Sequence, residues 1–523
     1  MPITTWEAFK NSTNTKKRLV AYIQAELAVP PFTARDFWFS TSAGEIPGLP
    51  IPIPGNLATV PSLTYDSNEI GGSPATPAWS DIVVNYEDGR DMSVERNGVY
   101  EPDFDTVWIV THRTVVVWLG GEDLPFSEYQ AIFTGICDGI ERTDSQIIFR
   151  VQGNENQAYR KTIGSNEITA AAWPDAGNNI GKTIPVCIGP VWNIEPICVT
   201  LTAPQPTYIF HDITAGAYST IYVYVDAVQL IPAQYTDNLD GTVTLNFVPS
   251  KTVTMFVLGL YGFSPWATKI TNLLTTFAGI PVGNIDAAAV AAANIALPYS
   301  VNLYVKKETS VMDAITALSE GFPATYGFQR SGIFSMREIT DPGAATADYV
   351  INTSTSNESP VAINNNSLSE KFHGEIIWKT IMEWYPNYKP MDSGNLSPTL
   401  TLTQQELFST DWRETKYEDA TILSKYPGAG VKPRRCRTSF LFSAIGLATK
   451  WTNLFSDRRE MTTFTLPSIN LEYEIGQIVE CTFETKLFGG SAWYRHGYNQ
   501  RKMLILGMEE NYNDYTVNLR LWG

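Results

Sequence analysis

The chain has 523 residues, of which 17% are charged and 12% aromatic, and it carries a net charge of −17. A chain this long has ample core for about three or four domains, and its 37 Gly and 32 Pro are too few for a collagen-like or low-complexity polymer. Typical soluble domains are about 25% charged, so the surface is poor in charge. That composition suits a surface shared with neighbouring subunits or a β-rich fold with a Ser/Thr/Asn exterior.

The charge is unevenly placed. Residues 36–141 hold 17 acidic and 3 basic side chains, whereas 413–460 hold 10 basic and 5 acidic. A basic nucleic-acid groove along the whole chain is therefore excluded. The 5 Cys are scattered without a CxxC pair, which predicts no disulfide framework. The N-terminus lacks a signal-peptide core, and no apolar run reaches the roughly 18 residues of a membrane span. Folding in a reducing cytosol is expected.

In chain order, LysLysArgLeuValAlaTyrIleGlnAlaGluLeu predicts a short amphipathic helix at about 15–27. Pro, Gly and Ser at 40–80 predict extended loop or edge strand. Strands follow from about 81 (DIVVNY, DTVWIV, RTVVVWL, YQAIFTGI, SQIIFRV), with turn chemistry at 87–90 and 119–123. A second β unit spans 181–262, with AsnLeuAspGly at 238–241 as a hairpin turn. Helices are predicted at 265–277, 285–296 and 309–320, the last capped by Thr/Ser and stopped by Gly321. Strands return at 328–339, a polar linker fills 341–368, and a strand follows in EIIWKTIMEWYP. Helical stretches are predicted near 411–425 and 439–459, and the end is all strand. The expected fold class is mainly β with an α+β portion, in several domains. The expected boundaries are a β-barrel domain at 1–175, a small inserted antiparallel domain at 176–265, an α+β domain and linker at 266–370, and a second β-barrel domain with helices at 371–523.

The search for catalytic motifs is negative. His112, His211, His373 and His496 are far apart, and no HExxH, zinc-spaced Cys/His cluster, GxSxG or phosphate-loop motif occurs. The carboxylate pairs Asp103/Asp105, Glu122/Asp123 and Glu509/Glu510 read as solvated acidic faces before they read as glycosidase pairs. Asp88, Asp91 and Glu95 lack the spacing of a calcium loop. Trp108, Trp118, Tyr222, Tyr224, Trp378, Trp384, Tyr385 and Tyr388 read as core or subunit contacts before a sugar-stacking platform. No enzyme activity, cofactor or metal is expected. Lys425, Lys432, Arg434, Arg435 and Arg437, around a Gly/Pro loop, suggest a basic contact with an acidic neighbouring subunit.

Residues 181–198 (GlyLysThrIleProValCysIleGlyProValTrpAsnIleGluProIleCys) follow a G-K-x-x-P-V-x-x-G-x-V-x-N-V-x-P pattern, with Ile194 in place of Val. TyrIlePheHisAsp at 208–212, AspGlyThrValThrLeu at 240–245, Phe133-Thr134-Gly135 and the closing LeuArgLeuTrpGly follow in the same spirit. Together these segments resemble the tail-tip or baseplate hub proteins of long-tailed bacteriophages and gene-transfer particles. The resemblance implies two tail-tube-like barrels with smaller inserted domains and three copies forming a ring around the DNA channel. It implies contact with the distal tail ring, the tape measure and fibre or tip proteins, and transient passage of genomic DNA without specific binding. The expected location is the virion tail tip. A hexameric distal-tail adaptor ring and, further off, a glycan-binding or glycan-degrading tail enzyme are the alternatives. On this reading Asp81, Glu87, Asp88, Asp91, Asp103 and Asp105 are candidates to line the channel.

Overall fold

The structure, a computed structural model, describes residues 5, 6, 9, 16–27, 34–49, 55, 57–60, 62–66, 71, 74–85, 94–96, 99–101, 108–143, 145–153, 155–200, 204–352, 371–372, 376–392, 394, 396–466, 473–483, 498–512 and 516–523. It is mainly β with an α+β portion, and large sheets form at both ends of the chain.

The first large sheet is antiparallel. Its strands run in the order Ala34–Ser40, Lys17–Leu27, Thr114–Gly121, Gln130–Arg142, Gln146–Gly153, Ile82–Asn85 and Leu57–Thr59. The expected helix at 15–27 is thus a strand. Leu19, Ala21, Ile23 and Ala25 are buried in the core at alternate positions, the two-residue period of a strand. Pairing on both edges of the segment, with 114–121 and with 34–40, outweighs the helical propensity of its Ala, Glu and Lys residues.

The second large sheet runs Phe334–Glu338, Ala324–Phe328, Pro74–Trp79, Leu63–Asp66, Tyr498–Asn511, Thr516–Trp522, Glu460–Leu466 and Lys371–Phe372. Ile478–Phe483 also pairs with 498–511, and Tyr349–Asn352 pairs with it in parallel. Leu63–Asp66 and Pro74–Trp79 come from the N-terminal quarter of the chain, yet they lie beside strands near the C-terminus. Inward residues of both sheets, such as Val117, Phe133 and Phe149 with Phe464, Ile505 and Leu519, share one apolar core.

Between the large sheets, two four-stranded antiparallel sheets built from 190–258 enclose a separate core around Phe210, Val223, Val243 and Met255. Tyr235–Asp237 and Thr242–Leu245 form the hairpin expected from AsnLeuAspGly. Helices Trp266–Thr276, Ala287–Ala296 and Val311–Ser319 follow, where the sequence predicts helices. Asp286 and Ser310 cap the second and third. The stretch expected to be helical at 411–425 divides into a strand, Arg413–Glu418, and a helix, Ala420–Lys425, whose N-terminal amides are met by Asp419. The strand forms because Ile377–Trp384 offers it a pairing edge. Leu441–Leu454 is the expected long helix.

Candidate functional site

The segment with the most specific sequence pattern, 181–198, builds a junction between parts of the chain. Val186–Ile188 pairs with Leu303–Val305, and Pro190–Ile194 pairs with Val253–Leu258. Gly189 lies between these strands with φ 68, and its amide donates to the carbonyl of Leu260 (2.8 Å). Lys269 lies beside it, fully buried, and donates to Ser300 Oγ (2.9 Å) and to the Val301 carbonyl (2.8 Å). Burial pushes that ammonium down to about 7.

His211 holds the next turn of the same junction. Its Nδ1 accepts from the Cys187 amide (3.1 Å) and its Nε2 donates to the Gly216 carbonyl (2.9 Å). Burial lowers its pKa, so the neutral ring is favoured. Asp212 donates its amide to the Pro185 carbonyl (2.8 Å), and its side chain accepts from Thr214 and Asn166. Phe210 and His211 both donate backbone amides to Gly241. Both ring nitrogens of His211 are thus committed to backbone partners, as befits a structural histidine and not a proton shuttle.

Asn193 closes the junction from the other side. Buried at φ 50, it donates through Nδ2 to Asn387 Oδ1 (2.7 Å) and to the Lys389 carbonyl (2.6 Å). Trp192 packs with Tyr224, Phe408 and Tyr385, and the Arg413 guanidinium lies 4.7 Å from the Tyr385 ring centre. Tyr388 receives hydrogen bonds from the Tyr304 amide (3.2 Å) and Arg437 (3.3 Å). Of the aromatic candidates, Tyr224, Trp384 and Tyr385 are buried, while Tyr222 is exposed and stacks on Phe256. Trp118 stacks on Trp38, and Lys379 lies over Trp378. The side chain of Trp108 lies outside the described residues.

Of the basic candidates, Lys425 ends the helix Ala420–Lys425, Lys432, Arg434 and Arg435 lie on the strand Gly430–Cys436, which pairs in parallel with Ile377–Trp384, and Arg437 follows that strand. The Gly/Pro turn is present at 427–428, but 430–436, expected as loop, is strand, and Pro433 fits because that strand lies at the sheet edge. Lys425 pairs with Asp457 (2.8 Å) and holds that carboxyl well below the usual range. Arg435 pairs with Glu383 (2.5 Å), Arg437 stands 3.7 Å from Glu320, and Arg434 lies 3.4 Å above the Trp451 ring. Lys432 is exposed.

Of the acidic candidates, Asp81 is half-buried, and burial raises its pKa against the opposing Arg150 charge. Glu87, Asp88, Asp91, Asp103 and Asp105 lie outside the described residues, as do His373, His496 and the turn at 87–90. The pair Glu122/Asp123 is exposed. Glu509 and Glu510 point to opposite faces of their strand. Glu509 is exposed, whereas Glu510 is fully buried, 2.9 Å from Arg330. Glu474 stands 3.4 Å from the same guanidinium. This buried group escaped the sequence reading because Arg330 and Glu510 are 180 positions apart. No group of His, Cys, Asp or Glu among the described residues is arranged to hold a metal.

No protein-family model and no curated protein matches the chain. Solved structures do. The 43 kDa tail protein of prophage MuSo2 from Shewanella oneidensis is similar over 97% of this chain and 98% of its own, at 11% identity and a TM-score of 0.37. A tail protein from Neisseria meningitidis MC58 is similar over 96% of both chains, at 9% identity and a TM-score of 0.36. A chain of the virion of a native gene transfer agent particle is similar over 65% of this chain and 84% of its own, at 8% identity and a TM-score of 0.42. Two of these structures are named as tail proteins and the third as a virion.

Proposed function

We propose that this chain is a structural protein of a phage tail, acting as the hub of the tail tip or baseplate. In that role it forms a ring around the DNA channel and joins the tail tube to host-recognition proteins. The observation that carries the reading is the junction at 181–198. Its patterned residues Pro185, Gly189 and Asn193, together with His211, Asp212 and Gly241, are bonded to one another or to neighbouring backbone. A sequence pattern that holds domains together, with no side chain left poised for chemistry, belongs to a scaffold. The architecture agrees with what the resemblance implies, because large β-sheets at the two ends of the chain flank a smaller β unit and an α+β part.

In the assembled particle the acidic stretch at 36–141 faces the channel and the chain is trimeric. Native mass spectrometry of the purified protein tests the stoichiometry. Three copies support the hub, and six place the chain in a distal ring. A chain that hydrolyses cell-wall or capsule polymer, and loses that activity on changing one of its four histidines to Ala, overturns the structural reading.

A further inference from the structure

Beside the junction lies a cleft of about 740 Å³. Its walls are formed by Pro185, Pro196, Pro249 and Tyr208, and Lys182, Lys251 and Lys306 stand on its lining. We infer that this cleft receives an acidic segment of a partner protein, a stretch of chain carrying Asp or Glu side chains between apolar ones.

The charge argument is local and runs against the whole molecule. The chain carries −17, yet three lysines line this cleft. Among the described residues, the one carboxylate on its lining, Glu195, is offset by Lys389 (2.7 Å). Among the described residues, none of the three lysines is saturated. Lys182 donates to Asn179 Oδ1 (2.6 Å), Lys251 reaches Asp226 at 3.5 Å, and Lys306 reaches the Tyr388 carbonyl at 3.4 Å. An ammonium has three donors, so each lysine keeps N–H groups for a carboxylate. Lys306 also sits 5.2 Å from the Tyr304 ring centre, which holds its charge at the cleft.

Shape and composition favour a protein segment over a nucleic acid. The site is concave and walled by prolines and a tyrosine, surfaces that pack against side chains. Its lining holds no arginine to fork onto phosphates. That the partner is another tail protein rests on the function proposed above; binding of an acidic segment does not.

The test uses the full-length chain and three fluorescein-labelled probes: a decapeptide of alternating Glu and Ala, the same peptide with Lys for Glu, and a twelve-nucleotide oligo-dT. Anisotropy at low salt should show the Glu peptide binding more tightly than the other two. In K182Q/K251Q, which changes two exposed side chains, its affinity should fall about tenfold, the scale of two exposed ion pairs. K16Q/K416Q should leave it unchanged. Amine acetylation of the unaltered chain supplies a measurement that needs no variant: the Glu peptide should protect Lys182, Lys251 and Lys306 but not Lys16 or Lys416. Equal affinity in K182Q/K251Q, no selective protection, or tighter binding of oligo-dT overturns the inference. Failure of the hub reading would instead show in the copy number or particle location of the chain and leave these binding data untouched.

Discussion

At Gly189 a methyl group would stand 2.3 Å from the Val301 carbonyl and 2.8 Å from Lys269 Nζ. The backbone there is also left-handed, where a side chain adds strain of about 1–2 kcal/mol. Gly181 is left-handed too, but nothing lies within 4 Å of where its methyl would be. Both glycines belong to the same sequence pattern, so the contrast separates packing from backbone preference. Gly189→Ala should lower the denaturation midpoint far more than Gly181→Ala, measured by chemical unfolding of the two variants side by side. Equal losses would show that conformation alone matters at 189. The sequence marked both glycines, but only the structure distinguishes them, because the obstacle at 189 comes from residues 269 and 301.

The same scale holds a pH prediction. Burial, opposed by the charge of Arg330, raises the Glu474 carboxyl to about 7 from an ordinary 4.5. Arg330 faces it and also pairs with Glu510, which Tyr512 hydrogen-bonds. A folded carboxyl with a raised pKa contributes stability fully below the unfolded value, and the contribution is lost as pH rises through the folded value. Glu474→Gln stays neutral throughout. Its Tm relative to the parent should therefore climb between about pH 4.5 and 7 and level off above. A difference that does not change with pH would mean that Glu474 is ionised throughout that range.

At the scale of elements, the C-terminal strand Thr516–Trp522 lies between Glu460–Leu466 and Tyr498–Asn511 and bonds to both. Trp522 is fully buried against Phe455, with Arg459 over its ring. The alternation in ThrValAsnLeuArgLeuTrp made this pairing legible, and the Thr/Ser cap and Gly321 stop made the helix Val311–Ser319 legible. The strand Lys17–Leu27 was not legible as such, because an Ala- and Glu-containing stretch satisfies helical and strand periods alike until its partners are known. Deleting 512–523 should abolish soluble folding, since it exposes two inner edges at once; Trp522→Ala alone should cost about 3–5 kcal/mol. Circular dichroism melts of both variants check this. At the junction, Asn193→Ala removes two side-chain hydrogen bonds and strands the Lys389 carbonyl, a loss of about 1–3 kcal/mol. It should also raise proteolytic cleavage near 385–392 under native conditions.

At the scale of the whole molecule, the proposed channel position of the acidic stretch has an electrostatic consequence. Duplex DNA carries one negative charge per about 1.7 Å of its axis. A basic wall would hold those phosphates, whereas an acidic one repels them within roughly 8 Å at physiological salt. Replacing Asp81, Asp103 and Asp105 with Lys should slow DNA ejection from assembled particles, with the delay shrinking as salt rises. An unchanged ejection rate would remove these residues from the channel. The sequence displayed the charge asymmetry, but which faces of the strands turn inward depends on neighbouring subunits and is not encoded in one chain's periodicity.

The placement of Leu63–Asp66 beside Tyr498–Asn511 also sets a timetable for biosynthesis. A ribosome adding roughly 5–20 residues per second makes the early strand tens of seconds before its partner exists. During that interval Leu63–Asp66 and Pro74–Trp79 have two unmet edges, one awaiting Ala324–Phe328 and the other Tyr498–Asn511, and these must be shielded by the nascent chain or by a chaperone. Arrested nascent chains ending before residue 498 should therefore be captured by chaperones or aggregate, while release of the finished chain closes the sheet and ends that dependence.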